Sequence, residues 1–244
     1  MRKTLQLLLL AAALAAPAHA LVGPAETGGP LEPESVMLLK TSGGAAGFCS
    51  GEVIGPRVIL TAAHCVGGAA ALRVHYRDPA GAPVLKTVSA VAVHPAYVAD
   101  GKTRRVVTID MALVLAAEPL GPRFSPATLD AGAALTVGDA LTLAGFGIAR
   151  EGEARSSGTF RHAPIAVRAP LSKILLWAHD PAHKGTGACT GDSGGPIYAK
   201  GAVVAISAWA DGDPKHFCGD LTQGVLVAPQ RAWIDSVLRG WRQL

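Results

Sequence analysis

Short apolar runs separated by glycine and proline make up most of the chain. Runs rich in β-branched residues at 57–61, 72–76 and 202–206 predict strands. Many short strands with turn signals between them are typical of sandwiches and barrels. A helical spacing appears only after Pro229, in a stripe formed by Trp233, Ile234, Val237, Leu238 and Trp241. We therefore predict an all-β body with one C-terminal helix packed against it, and a crossover between two halves in the Pro-, Gly- and Ala-rich stretch 115–136.

The start of the chain has the pattern of a secretory signal peptide. Arg2 and Lys3 precede an apolar run at 7–16, and the small residues Ala18 and Ala20 suit a signal peptidase. The run is too short to span a bilayer and no stop-transfer pattern follows it, which disfavours an uncleaved membrane anchor. We expect a signal peptide at 1–20, a mature chain at 21–244 without a stable membrane anchor, and a secreted or periplasmic location.

Charge and cysteine usage narrow the classes of partner and ligand. The formal net charge is +4, and no basic cluster is longer than Arg104 and Arg105, so no nucleic-acid partner is indicated. The four cysteines are an even number in an exported chain, which makes disulfides the first expectation and metal ligation the second. Because the chain has no Cys-x-x-Cys pair and no closed zinc motif, we expect no metal.

The strongest chemical signal is the segment 191–196, which reads Gly-Asp-Ser-Gly-Gly-Pro. Its glycines let the backbone turn sharply and let a substrate carbonyl approach the main chain closely. Ser193 can act there as a nucleophile, but a serine hydroxyl is inert at its free pKa. It therefore needs a base within hydrogen-bonding reach and a buried carboxylate that holds the base in one tautomer.

His64 and Asp110 are the candidates for those two roles. His64 follows a β-branched strand and stands beside a cysteine able to pin its loop. Asp110 lies between two apolar runs, where a carboxylate needs a polar partner. Taken alone, Asp110 would be interpreted as a strand-end aspartate bonded to backbone, but together with His64 and Ser193 it is interpreted as the residue that orients the base. The other histidines of the predicted mature chain are interpreted as surface or structural residues, namely His75, His94, His162, His179, His183 and His216.

A rival interpretation is an esterase or lipase of the α/β-hydrolase class, because the segment 191–195 also satisfies Gly-x-Ser-x-Gly. That fold requires an aspartate and then a histidine after the serine. His216 is the sole histidine after Ser193, and alternating strand and helix patterns are missing. The sequence therefore disfavours this class.

Several separated motifs together resemble the chymotrypsin/trypsin family of serine peptidases. The similar segments are Leu-Val-Gly at 21–23, Thr-Ala-Ala-His-Cys at 61–65, Ile-Asp-Met-Ala-Leu at 109–113, Gly-Phe-Gly at 145–147 and the segment 191–196. The chain order His, Asp, Ser is also that of the family. The resemblance implies a serine endopeptidase in which Ser193 attacks the peptide carbonyl, His64 moves its proton and Asp110 orients His64.

The same resemblance implies a fold of two six-stranded antiparallel β-barrels packed face to face, with the C-terminal helix behind them. In this chain the first barrel is expected at about 36–115, the second at about 136–227 and the helix at about 229–241. The catalytic residues would lie in the cleft between the barrels. The disulfide pairs that the resemblance implies are Cys49 with Cys65 and Cys189 with Cys218.

The resemblance also assigns roles to the residues around the nucleophile. The backbone N–H groups of Gly191 and Ser193 would form the oxyanion hole, in which one donor is typically worth about 3 kcal/mol in the transition state. The new N-terminal ammonium of Leu21 would pair with Asp192 and anchor the loop. Because no propeptide separates Ala20 from Leu21, signal peptidase itself is expected to release the active form. Pro24 departs from the family pattern, which commonly has a glycine there.

The pocket for the side chain before the scissile bond is predicted to lack charge. Gly187 occupies the position at which the family places its charge selector, and no carboxylate stands there. The other residues predicted for this pocket are Ala188, Thr190, Ser207, Trp209 and Gly224. Relative to the family pattern, the chain has an insertion between the strand of Trp209 and Cys218. The aspartates in or near this insertion are interpreted as solvated loop residues. We predict a preference for an uncharged, apolar side chain over Lys or Arg.

The expected partners are protein or peptide substrates and a proteinaceous inhibitor, with no cofactor and a monomeric chain. The alternative to an enzyme is a catalytically silent binding protein that keeps the protease fold. Silent relatives tend to lack a triad member, since loss of one typically lowers the rate about 10⁴-fold or more. The three triad residues and the oxyanion glycine are all present here, which favours the enzyme.

Overall fold

The computed structural model describes residues 21–42 and 45–243, so the predicted signal peptide lies outside the described residues. The strands are β1 (Glu26–Thr27), β2 (Ser35–Ser42), β3 (Ala45–Gly55), β4 (Val58–Thr61), β5 (Leu72–Arg77), β6 (Pro83–Val93), β7 (Ala112–Ala116), β8 (Ala140–Gly145), β9 (Arg161–Val167), β10 (Leu175–His179), β11 (Pro196–Ala199), β12 (Ala202–Asp211) and β13 (Leu221–Leu226). The α-helices are α1 (Gly101–Arg104) and α2 (Arg231–Gly240). Short 3₁₀ turns lie at Glu32–Glu34, Ala63–Cys65, Ala69–Ala71, Ala154–Ser156 and Ala228–Gln230.

Six strands close into the first barrel in the order β2-β3-β4-β7-β6-β5, with every neighbouring pair antiparallel. Small aliphatic side chains such as Val36, Ile59 and Val114 fill its interior. On β3, Val53 belongs to this interior, and a Cβ added at Gly51 would lie 2.6 Å from Ile59 Cγ2. Since successive residues of a strand face opposite sides, Glu52 between them faces away from this interior.

The second barrel is formed by β8, β9, β10, β13, β12 and β11, and the β8–β9 pair closes the ring. Strand β1 pairs with the start of β9, at Arg161 and His162. Leu143, Ile165 and Val204 lie in the interior, where the buried Leu21 joins them. The predicted fold class, two closed six-stranded antiparallel barrels with one C-terminal helix, is therefore confirmed.

A third core lies between the barrels and extends to α2. It brings together Leu60 and Met111 of the first half, Phe146 and Ile206 of the second, and Ile234 of the helix. The stripe predicted for the helix is confirmed, because its residues pack on this core. Burying one helix face against both barrels fixes how the two halves sit on each other. In the described part of the chain, neither helix is long and apolar enough to cross a bilayer.

Candidate active site

His64 stands on a 3₁₀ turn directly after β4. The strand ends at Thr61, whose hydroxyl donates to the Ser50 carbonyl oxygen at 2.8 Å. The residues on either side of His64 are buried, whereas 38% of its own side chain is exposed. Lys40 Nζ donates to the His64 carbonyl oxygen at 2.8 Å. The ring is therefore presented at the edge of the first barrel by a short, fixed turn.

Asp110 holds His64 with both carboxylate oxygens. Oδ2 lies 2.6 Å from His64 Nδ1, and Oδ1 accepts the His64 backbone N–H at 2.9 Å. Ile109 and Met111 on either side are buried, and 16% of the Asp110 side chain is exposed. A carboxylate on Nδ1 favours the tautomer that carries its proton there, which leaves Nε2 free to accept a proton.

Ser193 comes from the second barrel, in the nucleophile loop (residues 189–195) that precedes β11. Cys65 Sγ lies 3.7 Å from His64 Nε2 and 3.6 Å from the Ser193 carbonyl oxygen. The backbone N–H of Ser50 donates to that same carbonyl at 2.9 Å. The residue of the candidate nucleophile and the candidate base nitrogen therefore contact one sulfur atom across the boundary between the barrels.

Two glycines let the nucleophile loop lie against the first barrel. Gly194 has a φ of +80°, and a Cβ there would overlap Thr61 Oγ1 and the Ser50 carbonyl oxygen. Gly191 has a φ of +95°, and a Cβ there would overlap the Phe48 ring. Any side chain at either position would therefore push the loop away from the first barrel.

The nucleophile loop also presents two backbone amides without protein acceptors. Among the described residues, the N–H groups of Asp192, Gly194 and Gly195 donate to carbonyl oxygens, whereas those of Gly191 and Ser193 have no acceptor. Neighbouring free amides of this kind are the donors that an oxyanion needs.

Asp192 is fully buried beneath the loop. Oδ1 accepts the Gly147 N–H at 2.8 Å, and Oδ2 accepts the Cys189 N–H at 3.0 Å. Burial raises the pKa of Asp192 to about 7, against the lowering effect of these two N–H groups. The ion pairs among the described residues do not include Asp192. A cation brought next to this buried carboxylate would stabilise its charged form.

The segment after the predicted cleavage site is inserted into the second barrel beside this loop. Leu21 is fully buried and packs in the same cluster as Ala188. Val22 and Gly187 exchange two backbone hydrogen bonds of 3.2 Å each. The first residues of the predicted mature chain therefore lie next to the stretch that leads into the nucleophile loop.

Both disulfides that the resemblance implies are present. Cys49–Cys65 joins β3 to the turn of His64, and Cys189–Cys218 joins the nucleophile loop to the segment before β13. The clusters of metal-ligating side chains in the described ranges are centred on these two bridges, with His64 and Glu151 as their other members. Because a disulfide sulfur is not a thiolate, neither cluster offers the ligands of an ordinary metal site.

The predicted pocket residues lie on the paired strands β12 and β13 and in the segment that leads into the nucleophile loop. Gly187 and Ala188 are buried, while Thr190 in the loop is exposed. Ser207 is buried, lies opposite Gly224, and exchanges backbone hydrogen bonds with Gly194 (2.6 Å) and Gly195 (2.8 Å). Beyond a bulge, the half-buried Trp209 lies opposite Gln223.

Thr222 is a buried residue beside the predicted pocket residues, and sequence reasoning missed it. Its Oγ1 accepts the Ala188 N–H at 3.1 Å and would lie 3.2 Å from a Cβ at Gly187. This hydroxyl is thus the side-chain polar group nearest to Gly187, the position at which the sequence has no charged side chain. A signal for Thr222 was available, since it stands two residues before Gly224 on the same face of β13.

The fold and these contacts define a two-barrel protein in which the His64–Asp110 pair of the first barrel lies beside the nucleophile loop of the second. A model of the family Trypsin matches residues 25–225. Trypsin, alkaline C from Manduca sexta is 30% identical over 238 residues, which cover 86% of this chain and 90% of that protein. The chain belongs to the trypsin family.

Solved structures share the fold at lower sequence identity. Neuropsin, a serine protease expressed in the limbic system of mouse brain, gives a TM-score of 0.70 at 21% identity, covering 88% of this chain and 98% of that chain. A scabies mite inactivated protease paralogue gives a TM-score of 0.68 at 20% identity, covering 85% and 95%. The fold occurs both in a protease and in an inactivated paralogue. The fold alone therefore does not determine activity, which depends on the residues of the site.

Proposed function

We propose that the protein is a secreted or periplasmic serine endopeptidase that acts as a monomer on protein or peptide substrates. The single observation that supports this best is the 2.6 Å contact between His64 Nδ1 and Asp110 Oδ2. It leaves Nε2 as the free nitrogen, and Nε2 contacts the same sulfur as the Ser193 carbonyl. A base oriented in this way beside a serine loop suits acyl transfer.

In the proposed mechanism, Ser193 Oγ attacks the carbonyl carbon while His64 Nε2 takes the hydroxyl proton. The negative charge that develops on the carbonyl oxygen is stabilised by the N–H groups of Gly191 and Ser193. His64 then gives its proton to the departing amine as the C–N bond breaks. Water repeats the attack on the acyl-enzyme, again through His64, and releases the acid.

We further propose that removal of residues 1–20 activates the protein directly. The support is the insertion of Leu21 and Val22 beside the nucleophile loop, together with the buried Asp192, which has no cationic partner among the described residues. A free ammonium at Leu21 would compensate that carboxylate. N-terminal sequencing of secreted, active protein should give Leu21 as the first residue, and a different start would refute this route.

The proposed preference is for an uncharged, apolar residue before the scissile bond. It is supported by Gly187 and Ala188 at the pocket floor and by Thr222, a neutral hydroxyl, beside them. Chromogenic peptides that vary only this residue test the preference. Efficient cleavage confined to Arg and Lys would contradict it. In that case the exposed Asp211, Asp213 and Asp220 would be the candidates for binding the basic side chain.

A serine-directed fluorophosphonate separates this proposal from a catalytically silent binding protein. We expect the mature wild-type chain to be labelled and Ser193→Ala to be unlabelled, because the reagent needs an activated serine and an oxyanion hole. A folded wild-type protein that resists labelling would favour the silent alternative. Ser157→Ala, a serine outside the site, serves as the matched variant that should label normally.

A further inference from the structure

One face of β3 is directed at the nucleophile loop. Phe48, Ser50 and Glu52 alternate along the strand and so lie on the face opposite the first-barrel interior. Phe48 packs where a side chain at Gly191 would be, and Glu52 bonds Tyr198 of β11 at 2.7 Å. Ser50 lies between them and is fully buried.

The Ser50 hydroxyl joins two segments of the second barrel. Oγ donates to the Gly191 carbonyl oxygen at 2.9 Å and accepts the Phe146 N–H at 2.9 Å. The backbone N–H of the same residue donates to the Ser193 carbonyl at 2.9 Å. One residue of the first barrel therefore holds the two residues whose N–H groups form the proposed oxyanion hole.

These contacts fix the peptide unit that follows Gly191, and a separate bond holds the unit that carries the Gly191 N–H. Gly191 adopts a left-handed φ of +95°, a region in which glycine has several accessible orientations. The Gly191 N–H shares a peptide unit with the Thr190 carbonyl oxygen, which accepts the Ile148 N–H at 2.9 Å. The Ser50 hydroxyl holds the next unit through the Gly191 carbonyl, and Phe48 limits the loop on one side, so rotation at Gly191 is small. An oxyanion donor is effective only when its direction is set before the reaction.

We propose that Ser50 is a positioning residue for catalysis, whose buried hydroxyl fixes the peptide unit after Gly191 and so limits rotation of the Gly191 N–H in the oxyanion hole. This inference rests on the proposed peptidase function. Ser50 touches neither substrate nor reacting atoms, and it acts through the carbonyl of Gly191. Without the hydroxyl, the Gly191 carbonyl and the Phe146 N–H would both be buried without a partner, and the loop would relax to satisfy them.

The test compares Ser50→Ala with wild type in the mature protein, using the best peptide substrate from the chromogenic panel. We expect kcat to fall about 10- to 100-fold and KM to change less than about threefold, since the hole acts on the transition state and not on the bound ground state. The affinity of a peptide aldehyde with the same sequence should fall in parallel with kcat, because its tetrahedral adduct places an oxyanion in the hole.

Ser35→Ala is the matched control. Ser35 is 2% exposed, and its hydroxyl donates to Glu52 Oε2 at 3.3 Å, away from the nucleophile loop. We expect this variant to keep the wild-type kcat and aldehyde affinity. A Ser50→Ala enzyme with kcat within about twofold of wild type, or an equal loss in Ser35→Ala, would overturn the inference.

A fold defect is separated from a positioning defect by thermal unfolding of each variant, with kinetics recorded well below the midpoint. Ser50→Gly removes the same hydroxyl and replaces Ser50→Ala if the alanine variant does not fold; the same loss of kcat at constant KM is expected. Failure of wild type itself to hydrolyse peptides or to react with fluorophosphonate would refute the proposed function. An active wild type with an equally active Ser50 variant would refute this inference alone.

Discussion

At the residue scale, Asp110 is the carboxylate that is proposed to orient the base. It accepts one hydrogen bond from the His64 backbone and contacts Nδ1 of the ring with its other oxygen. The backbone bond fixes the residue and the ring contact fixes the tautomer. An amide in place of the carboxylate would keep the shape and lose the preference for a proton on Nδ1.

Asp110→Asn should therefore lower kcat/KM by about 10⁴-fold at neutral pH without a comparable change in stability. The measurement is peptide hydrolysis from pH 6 to 10, together with thermal unfolding. Asp100→Asn is the control, because Asp100 is exposed and its carboxylate pairs, within the described ranges, with Arg104 on the neighbouring helix. A loss of less than about tenfold in Asp110→Asn would contradict the role given to this carboxylate.

At the same scale, the buried carboxyl group of Asp192 should make the stability of the protein depend on pH. With residue 20 still attached, burial raises its pKa to about 7, so the folded state holds this proton to higher pH than the unfolded chain does. The stability linked to the proton is complete below pH 4 and is lost as pH rises to 7, by about 4 kcal/mol at most. An ammonium at Leu21 would remove this loss by stabilising the carboxylate.

A chain that begins at Ala20 should therefore unfold at a lower temperature than one that begins at Leu21, and the gap should widen between pH 5 and pH 8. The Ala20 form should also be the less active of the two. Asp192→Asn introduced into both forms is the control and should remove the pH dependence of the gap. A gap that stays constant with pH would show that no ammonium reaches Asp192.

At the scale of elements, the apolar stripe of α2 is a local sequence pattern that leads to packing against both barrels. Its stripe is visible in the sequence because residues three and four apart share a helix face. Ile234 from this stripe is fully buried and packs in the core that both barrels share. Damage to this one side chain should therefore affect the whole two-barrel unit.

Ile234→Ala should lower the free energy of unfolding by about 2–5 kcal/mol, through lost apolar burial and the cavity left behind. Denaturant unfolding of the mature protein measures this. Ser236→Ala, an exposed position on the same helix, should change stability by less than about 0.5 kcal/mol. Equal effects of the two substitutions would mean that the helix does not share the core.

At the scale of the whole molecule, Tyr198 of the second barrel contacts two carboxyl groups of the first half. Tyr198 Oη lies 2.7 Å from Glu52 Oε1 and 2.8 Å from Glu34 Oε2. A phenol has one proton and can donate to only one carboxyl group, so the other contact requires a proton on a carboxyl. Burial raises the pKa of Glu52 well above its usual value, and the nearby Glu34 raises it further, while the bonds from Tyr198 and Ser35 oppose the rise.

Glu52→Gln should therefore stabilise the protein relative to wild type as the pH rises. The folded state keeps the Glu52 proton above pH 4.5 while the unfolded chain releases it, so the wild type loses stability with increasing pH and the glutamine variant does not. Thermal midpoints at pH 4.5 and pH 8 measure the change. Glu118→Gln, at an exposed carboxyl paired with Lys86, should show no such trend, and a pH-independent difference for Glu52→Gln would contradict the prediction.

The sequence by itself determined the local features of the protein: strands, the helix stripe, and the glycines and chemical groups at 64, 110 and 191–196. Alternation, helical spacing and the freedom of glycine act over a few residues, so they can be interpreted along the chain. Only the tertiary structure decided that Ser50 holds Gly191 and that Glu52 meets Tyr198, at separations of 141 and 146 residues. The outward face of β3 is visible in the sequence, but its partner depends on how two closed barrels dock, which no local pattern specifies.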